Sequence, residues 1–156
     1  MPQVPAPVEP VDPGEQLWDV TEEITMDRVR RYARVSGDNN AIHIDADAAE
    51  AAGLSAPVAH GLLILGIVVR HADDWVRNRG GRITGCDTRF VRPVYLVDHS
   101  VTLFVTAHLV GTGHIAATAS VLSDDGSTHR AILRPIRISY SDGRPDDVGA
   151  TDHTRR

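Results

Sequence analysis

Residues 57–78, PVAHGLLILGIVVRHADDWVRN, are the part of the chain that decides the fold. Pro57 suits the first turn of a helix, and the Gly80-Gly81 pair ends the apolar run that follows it. That run places leucine, isoleucine and valine on nearly every side of a helix, and such a helix must be buried all round. We therefore predict a long central helix over residues 57–78.

The pattern after this helix is typical of strands separated by glycine-containing turns. It predicts strands over residues 84–91, 100–110, 114–122 and 128–140. Before the central helix, a first strand is predicted over residues 18–24, and Thr25 is a candidate N-cap for a helix that ends near Val35. One antiparallel sheet wrapped around one long helix satisfies this order, so we predict an α+β fold.

The chain has 156 residues, enough for one domain with a buried core. Residues 1–16 hold five of the nine prolines and residues 141–156 are polar and charged, so both are predicted to be flexible arms around one domain over residues 17–140. The N-terminus lacks a signal-peptide pattern, and the longest apolar run is too short to span a bilayer. We expect a soluble cytoplasmic protein with no membrane partner.

The charged residues exclude several classes of function. All 16 basic residues are arginine, so Schiff-base chemistry, a phosphate-loop lysine and a lysine general base are excluded. The formal net charge of -5 argues against nucleic acid as a partner. Cys86 is the single cysteine, so the chain can form neither an internal disulfide nor a cysteine-rich zinc site.

A dense polar cluster, SGDNNAIHID at residues 36–45, precedes the central helix. Within it, Asp38 and His43 are five residues apart, and a carboxylate and an imidazole that share one water can move protons in both directions. From spacing alone, two other interpretations stay open. Asp38 caps a turn while His43 packs in the core, or Asp38, His43 and Asp45 bind a metal for which no fourth ligand is evident.

The segment Ala59-His60-Gly61-Leu62 is a second candidate site, at the start of the central helix. Free N–H groups and the positive end of the helix dipole suit the negative charge that develops on a carbonyl oxygen. Gly61 would let a ligand approach the backbone closely. A glycine needed only for packing, beside a structural His60, is the alternative interpretation.

Taken together, these segments resemble the MaoC-like, R-specific enoyl-thioester hydratases. The polar cluster is similar to the signature of that family through the run Tyr32-x-x-x-Ser36-Gly37-Asp38-x-Asn40-Ala41-Ile42-His43-x-Asp45. The Ala59-His60-Gly61-Leu62 segment follows at the expected distance, and FVRPVYLVD at residues 90–98 resembles the family's strand after the central helix. The resemblance covers about residues 20–140. It implies the hot-dog fold, in which an antiparallel sheet wraps a long helix, and a homodimer.

The resemblance also implies roles for individual residues. Asp38 and His43 correspond to the catalytic acid and the catalytic histidine, which hold the water that adds to C3 of an enoyl thioester. Gly61 corresponds to the glycine whose N–H receives the thioester oxygen. Asn40 corresponds to the asparagine that supports the loop, and Ser36 is a further candidate for that support. The candidates for substrate binding are His60, Leu62, Arg89 and Arg92.

The activity implied is that of a hydro-lyase acting on 2-enoyl or (R)-3-hydroxyacyl thioesters, with no cofactor and no metal, in fatty-acid or polyketide metabolism. The acyl carrier is coenzyme A or an acyl carrier protein. Because the chain has no lysine, the phosphates of the first or the acidic surface of the second would have to be bound by arginines. A hot-dog acyl thioesterase is one alternative, because fold alone does not separate the two activities. A subunit that requires a different hot-dog partner is another.

Two positions depart from the family pattern. Ala41 stands where the family commonly has proline, which predicts a looser loop between Asp38 and His43. Val97 stands where the family favours glycine, so the turn before Asp98 is expected to differ in shape. Neither change removes a group that transfers protons.

Overall fold

A computed structural model of the chain describes residues 12–143, and the predicted arms at residues 1–16 and 141–156 lie mostly outside that range. The helices within it are α1 (Met26–Ser36), a short 3₁₀ helix (Ala41–His43), α2 (Ala46–Ala51) and α3 (Gly61–Arg77). The strands are β1 (Gln16–Thr25), β2 (Arg82–Asp87), β3 (Ser100–Gly111), β4 (His114–Leu122), β5 (His129–Ala131) and β6 (Ile136–Ser141).

The strands form one antiparallel sheet in the order β1-β3-β4-β6-β2, with β5 paired to β4. The long helix α3 contacts β2, β4 and β6, and its buried side chains belong to the same hydrophobic core as those of the sheet. This layout confirms the predicted α+β class.

Burial along the neighbouring strands β3 and β4 has a period of two. The residues that it places in the core are Leu103, Val105, Ala107 and Leu109 of β3 and Ile115, Ala117 and Ala119 of β4. A sheet with one covered face requires this alternation, and each fully buried leucine, isoleucine or valine contributes about 1.5–3 kcal/mol. The alternation therefore fixes which face of the sheet receives α3.

The central helix begins four residues later than predicted, at Gly61 rather than at Pro57. The preceding segment is extended, because Val58 forms an antiparallel bridge with Tyr95 and the N–H of Ala59 donates to the carbonyl of Val94 at 2.8 Å. These bonds to a distant segment outweigh the local preference of proline for a first helical turn. As a result, residues 57–60 run beside residues 94–96 and hold the start of α3.

One stripe of α3 faces outward, contrary to the prediction of burial all round. Leu62 is 63% exposed and Gly66 is exposed one turn later, while Leu63, Ile64 and Ile67 are buried. The sheet of a single chain covers only part of the circumference of the helix. Among residues 12–143, no helix has the length and the apolar character that crossing a membrane requires.

Two predicted strands are shorter in the structure. The strand after α3 is β2 and ends at Asp87, and residues 88–99 form a loop that contacts the chain near residues 131–134. The last predicted strand is broken into β5 and β6, and Pro135 lies in the break. Proline has no N–H to donate to a neighbouring strand, which accounts for the interruption.

Glu22 on β1 connects this strand to two helices. Its Oε2 accepts a hydrogen bond from Arg28 Nη1 of α1 at 3.0 Å, and its Oε1 accepts from Arg70 and from His71 Nε2 of α3, the latter at 2.7 Å. Burial alone would raise the pKa of Glu22, but the hydrogen bonds of Arg28 and His71 and the charges of Arg70 and Arg28 outweigh it and lower that pKa.

We expect Glu22→Gln to lower the free energy of unfolding by about 1–2 kcal/mol at pH 7, because it removes the charge that three donors share. A carboxyl whose pKa is lower in the folded state stabilises the protein above its unfolded pKa of about 4.3. The difference between wild type and variant in urea unfolding should therefore shrink as the pH falls below about 4. Glu23→Gln, which removes an exposed neighbouring charge, should change stability by less than about 0.5 kcal/mol.

Candidate active site

Asp38 and His43 lie side by side after α1. The distance between Asp38 Oδ2 and His43 Nε2 is 3.7 Å, too long for a direct hydrogen bond. A water oxygen about 2.8 Å from each of these atoms fits across the gap. The carboxylate side chain is 53% exposed and the imidazole 12% exposed, so the pair opens to solvent on the acid side.

The backbone holds His43 in one orientation. His43 Nδ1 lies 2.7 Å from the carbonyl oxygen of Val58, and because a carbonyl only accepts, the Nδ1–H donates. In the neutral ring, Nε2 then carries the lone pair and faces Asp38. His43 is therefore placed to accept a proton from a molecule located between the two side chains.

Short local hydrogen bonds shape the loop that carries Asp38. Gly37 ends α1 in the left-handed conformation, with φ 79°, which glycine adopts without strain. Ser36 Oγ accepts from the N–H of Asp38 at 3.2 Å, and Asn40 Oδ1 accepts from the N–H of Ile42 at 3.3 Å. Ser36 and Asn40 thus both bond within the loop.

Ala41 is the first residue of the 3₁₀ helix, and Asn40 before it has φ -57° and ψ 124°, a conformation that suits a residue preceding proline. We expect Ala41→Pro to raise the free energy of unfolding by about 0.4–1 kcal/mol, because proline restricts the conformations of the unfolded chain. The N–H of Ala41, which proline would remove, donates no backbone hydrogen bond within residues 12–143. Urea unfolding of the two proteins measures the difference. A loss of stability would show that the loop cannot accept the proline ring.

His60 lies beneath this pair and is only 2% exposed. Its Nε2 lies 3.1 Å from the backbone carbonyl oxygen of Asp38. Its ring stacks on that of His43, with centroids 3.7 Å apart, and Tyr32 contacts its edge at 4.9 Å between centroids. Its Nδ1 is buried and has no partner within the described residues. His60 therefore contacts the two candidate catalytic side chains instead of lining an open cavity.

Gly61 follows His60 and begins α3. No acceptor among residues 12–143 bonds its N–H, and His60 provides no side-chain cap, so the first N–H of the helix is free for a ligand. A cavity of about 350 Å³ lies beside it, lined mainly by apolar residues that include Ile64, Phe90 and Ile132. A carbonyl oxygen entering this cavity would meet both the N–H and the positive end of the helix dipole.

Phe90 covers Gly61, and the sequence did not single it out as a separate candidate. A Cβ added at Gly61 would lie 2.8 Å from Phe90 Cε1, so the ring rests where a larger residue would project. Phe90 is 45% exposed and bridges to Leu133 from the loop after β2. Nothing in the local pattern of the sequence indicates this contact, because the two residues are separated by the whole of α3 and β2.

The remaining substrate-binding candidates lie on the surface. Arg92 lines the cavity beside Gly61, and its Nη1 donates to the carbonyl of Ala131 at 2.8 Å. Arg89 is exposed on the same loop, while Leu62 lies on the outer stripe of α3. A larger cavity of about 510 Å³ is lined by residues of α1, α2 and the segment near His99, and neither this cavity nor the one beside Gly61 is lined by Asp38 or His43.

The potential metal ligands that lie close together at this site are not the set that the sequence spacing suggested. Within the described chain, Asp38, His43 and His60 are the residues whose donor atoms cluster, all within 4.8 Å of one another. Asp45 instead caps α2, accepting from the N–H groups of Asp47 at 2.9 Å and Ala48 at 3.2 Å. His60 Nε2 would have to give up its bond to the Asp38 carbonyl to bind an ion.

Comparison with known proteins agrees with this picture. The model of the family described as "MaoC like domain" matches residues 9–130. Peroxisomal multifunctional enzyme type 2 of Mus musculus is 41% identical over 63 residues, which are 40% of this chain and 9% of that protein. The match thus spans less than a tenth of the length of this relative.

Three solved structures share the fold. R-Hydratase PhaJ1 from Pseudomonas aeruginosa, in its unliganded form, has a TM-score of 0.68 at 21% identity, covering 85% of this chain and 82% of that one. An (R)-hydratase from A. caviae involved in PHA biosynthesis has a TM-score of 0.64 at 18% identity, with 84% and 97% covered. The ChsH1-ChsH2 complex from Mycobacterium tuberculosis gives 0.64 at 21% identity, with 84% and 98% covered. The likeness establishes the hot-dog fold.

Proposed function

We propose that this chain, which belongs to the MaoC-like dehydratase family, is a hydro-lyase for acyl thioesters. It would add water to 2-enoyl thioesters, or remove water from (R)-3-hydroxyacyl thioesters. The observation that carries this proposal is the gap of 3.7 Å between Asp38 Oδ2 and His43 Nε2, with the Nε2 lone pair of His43 facing into it. That gap fits one water or one substrate hydroxyl.

The reaction needs one proton accepted and one returned. In hydration, the water oxygen bonds to C3 while an O–H bond of the water breaks, and C2 gains a proton as the double bond is lost. Asp38 and His43 together accept and return these protons, and in dehydration they remove the proton from C2 and protonate the leaving hydroxyl. Positioned acid–base groups of this kind typically contribute about 10²–10⁴-fold in rate.

The N–H of Gly61 supplies the second requirement of this chemistry. A proton at C2 of a thioester is weakly acidic until the neighbouring carbonyl is polarised. An N–H aimed at that oxygen stabilises the enolate-like transition state by about 3 kcal/mol in comparable sites. The free N–H at the start of α3, beside the apolar cavity, supports this assignment.

The finer parts of the proposal concern substrate and assembly. The cavity beside Gly61 is suited to an acyl chain, and Arg89 and Arg92 near its rim are suited to the phosphates of coenzyme A or to an acidic acyl carrier protein. We infer a homodimer, with the exposed stripe of α3 and the edge strands β1 and β2 of the sheet as starting surfaces. We infer action in the cytoplasm, in fatty-acid or polyketide metabolism, with no nucleic acid as partner.

A panel of 2-enoyl thioesters tests the proposal. The purified chain is mixed with crotonyl to dodecenoyl chains on coenzyme A and on acyl carrier protein, and loss of the enoyl absorbance is followed. Hydration on either carrier is the expected result. Release of thiol from saturated acyl-CoA without any hydration would replace the proposal with a thioesterase. An inactive monomer by light scattering would indicate that a different hot-dog subunit is required.

A further inference from the structure

We infer that His60 is a positioning residue for this reaction. It sets the separation of Asp38 and His43, because it donates a hydrogen bond to the backbone carbonyl of Asp38 and stacks on the ring of His43. The role of His60 in catalysis rests on the proposed function, and its role in positioning the two side chains rests on the geometry of the site. The side chain of His60 is 2% exposed, and its Nε2 lies 4.0 Å from Asp38 Oδ2, beyond hydrogen-bond distance, so its bond to Asp38 is the one to the backbone carbonyl.

Asp38 depends on His60 for its connection to the rest of the fold. The bonds around residues 38–40 are local, 3.1–3.4 Å long and exposed, and they join the loop only to itself. Among the residues that the structure describes, the bond from His60 Nε2 to the Asp38 carbonyl oxygen, 3.1 Å long, is the one that connects residues 38–40 to a distant segment. Losing it would leave the acid on a loop held at its ends.

His43 is held by the same segment. Val58 accepts the Nδ1–H of His43 at 2.7 Å, and two residues later His60 stacks on the ring at 3.7 Å with planes 24° apart. Residues 58–60 are themselves fixed, because the N–H of Ala59 donates to Val94 at 2.8 Å and that of Val58 donates to Ile42 at 3.2 Å. One rigid extended segment therefore determines the positions of both side chains.

The tautomer of His60 agrees with this role. Its Nε2 faces a carbonyl, so the proton is on Nε2 and the buried Nδ1 is left as an unpartnered acceptor. A buried polar atom without a partner lowers stability relative to an apolar side chain of the same shape. An apolar residue would fill this space at least as well, and the hydrogen bond to Asp38 is what histidine adds.

Four variants of the full chain separate the two contacts. His60→Gln keeps an N–H donor close to the position of Nε2 and loses the ring, whereas His60→Asn, the matched control, carries its donor near the position of Nδ1 and cannot reach Asp38. His60→Phe keeps the stacking ring and loses the donor. His60→Leu loses both. For each variant, kcat and KM for hydration, the thermal midpoint and amide hydrogen exchange at residues 38–40 are measured.

We expect His60→Leu to lower kcat about 10–100-fold with KM changed less than twofold, because the thioester is held elsewhere. His60→Gln should recover part of the loss, and His60→Asn should not. Exchange at residues 38–40 should accelerate in the variants without a donor.

A wild-type kcat in His60→Leu would overturn the inference. The inference would also be overturned if activity fell in proportion to the thermal midpoint and fell equally in His60→Gln and His60→Asn. His60 would then have a role in stability alone. If the wild-type chain hydrates no thioester, the proposed function fails, and hydrogen exchange still decides the positioning. Unchanged exchange in His60→Leu would then show that this residue does not hold the loop.

Discussion

Asp38→Asn and His43→Asn are each expected to lower kcat for enoyl-thioester hydration by about 10²–10⁴-fold while the protein stays folded. Asparagine at position 38 keeps the shape of the carboxylate and removes its capacity to exchange a proton. Asparagine at position 43 can still donate to the carbonyl of Val58, as His43 Nδ1 does at 2.7 Å, but it lacks the Nε2 lone pair. Both changes therefore remove chemistry and keep a backbone hydrogen bond in place, although His43→Asn also loses the ring that stacks on His60.

The double variant should be little worse than either single variant, because groups that act on the same proton transfer are strongly non-additive. Steady-state hydration by enoyl absorbance gives kcat and KM, and circular dichroism with thermal unfolding checks the fold. Asp47→Asn is the matched control, since Asp47 is a nearby exposed acid on α2 outside the gap. Near-normal rates in both single variants on every accepted thioester would show that the site is assigned wrongly.

Gly61→Pro is expected to lower kcat about 10²–10³-fold relative to Gly61→Ala, because proline removes the N–H that receives the thioester oxygen and alanine keeps it. The fold should accept proline here. Gly61 is the first residue of α3, and His60 before it has φ -62° and ψ 130°, which suits a residue preceding proline. The N–H that is lost has no acceptor among residues 12–143.

Gly61→Ala is needed as the comparison because any side chain here meets Phe90. The new Cβ would lie 2.8 Å from Phe90 Cε1, and that ring, which is 45% exposed, can turn aside. Equal kcat values for the alanine and proline variants at position 61 would remove the N–H from the mechanism.

Local signals in the sequence predicted the elements that local physics controls. Thr25 caps α1 as predicted, because its hydroxyl can satisfy the N–H of Arg28 without any help from the rest of the fold. The glycine-containing turn between two strand-like stretches predicted β3 and β4, with bounds that differ from the structure by one residue at most. The start of α3 was predicted wrongly at Pro57, because hydrogen bonds to residues near Val94 hold the chain extended.

The candidate site likewise contains residues that the sequence predicted and contacts that it did not. Asp38 and His43 were chosen from the chemistry of their side chains, Gly61 was chosen from its place at the start of the central helix, and all three match a family signature. These are properties of the linear sequence. The contacts of His60 were not predictable, because 22 residues separate it from Asp38 and no periodicity relates the two. Phe90 was missed as a neighbour of Gly61 for the same reason.

The sequence by itself determined the class of fold, the central helix, the long strands and the residue types available for proton transfer. Only the tertiary structure decided that one extended segment, residues 58–60, lies between α3 and the Asp38 loop and contacts both members of the pair. The physical reason is that capping, periodicity and turn formation act over a few neighbouring residues. The distance between two side chains across a fold depends on which remote segments pair, and it is fixed only when the whole core packs.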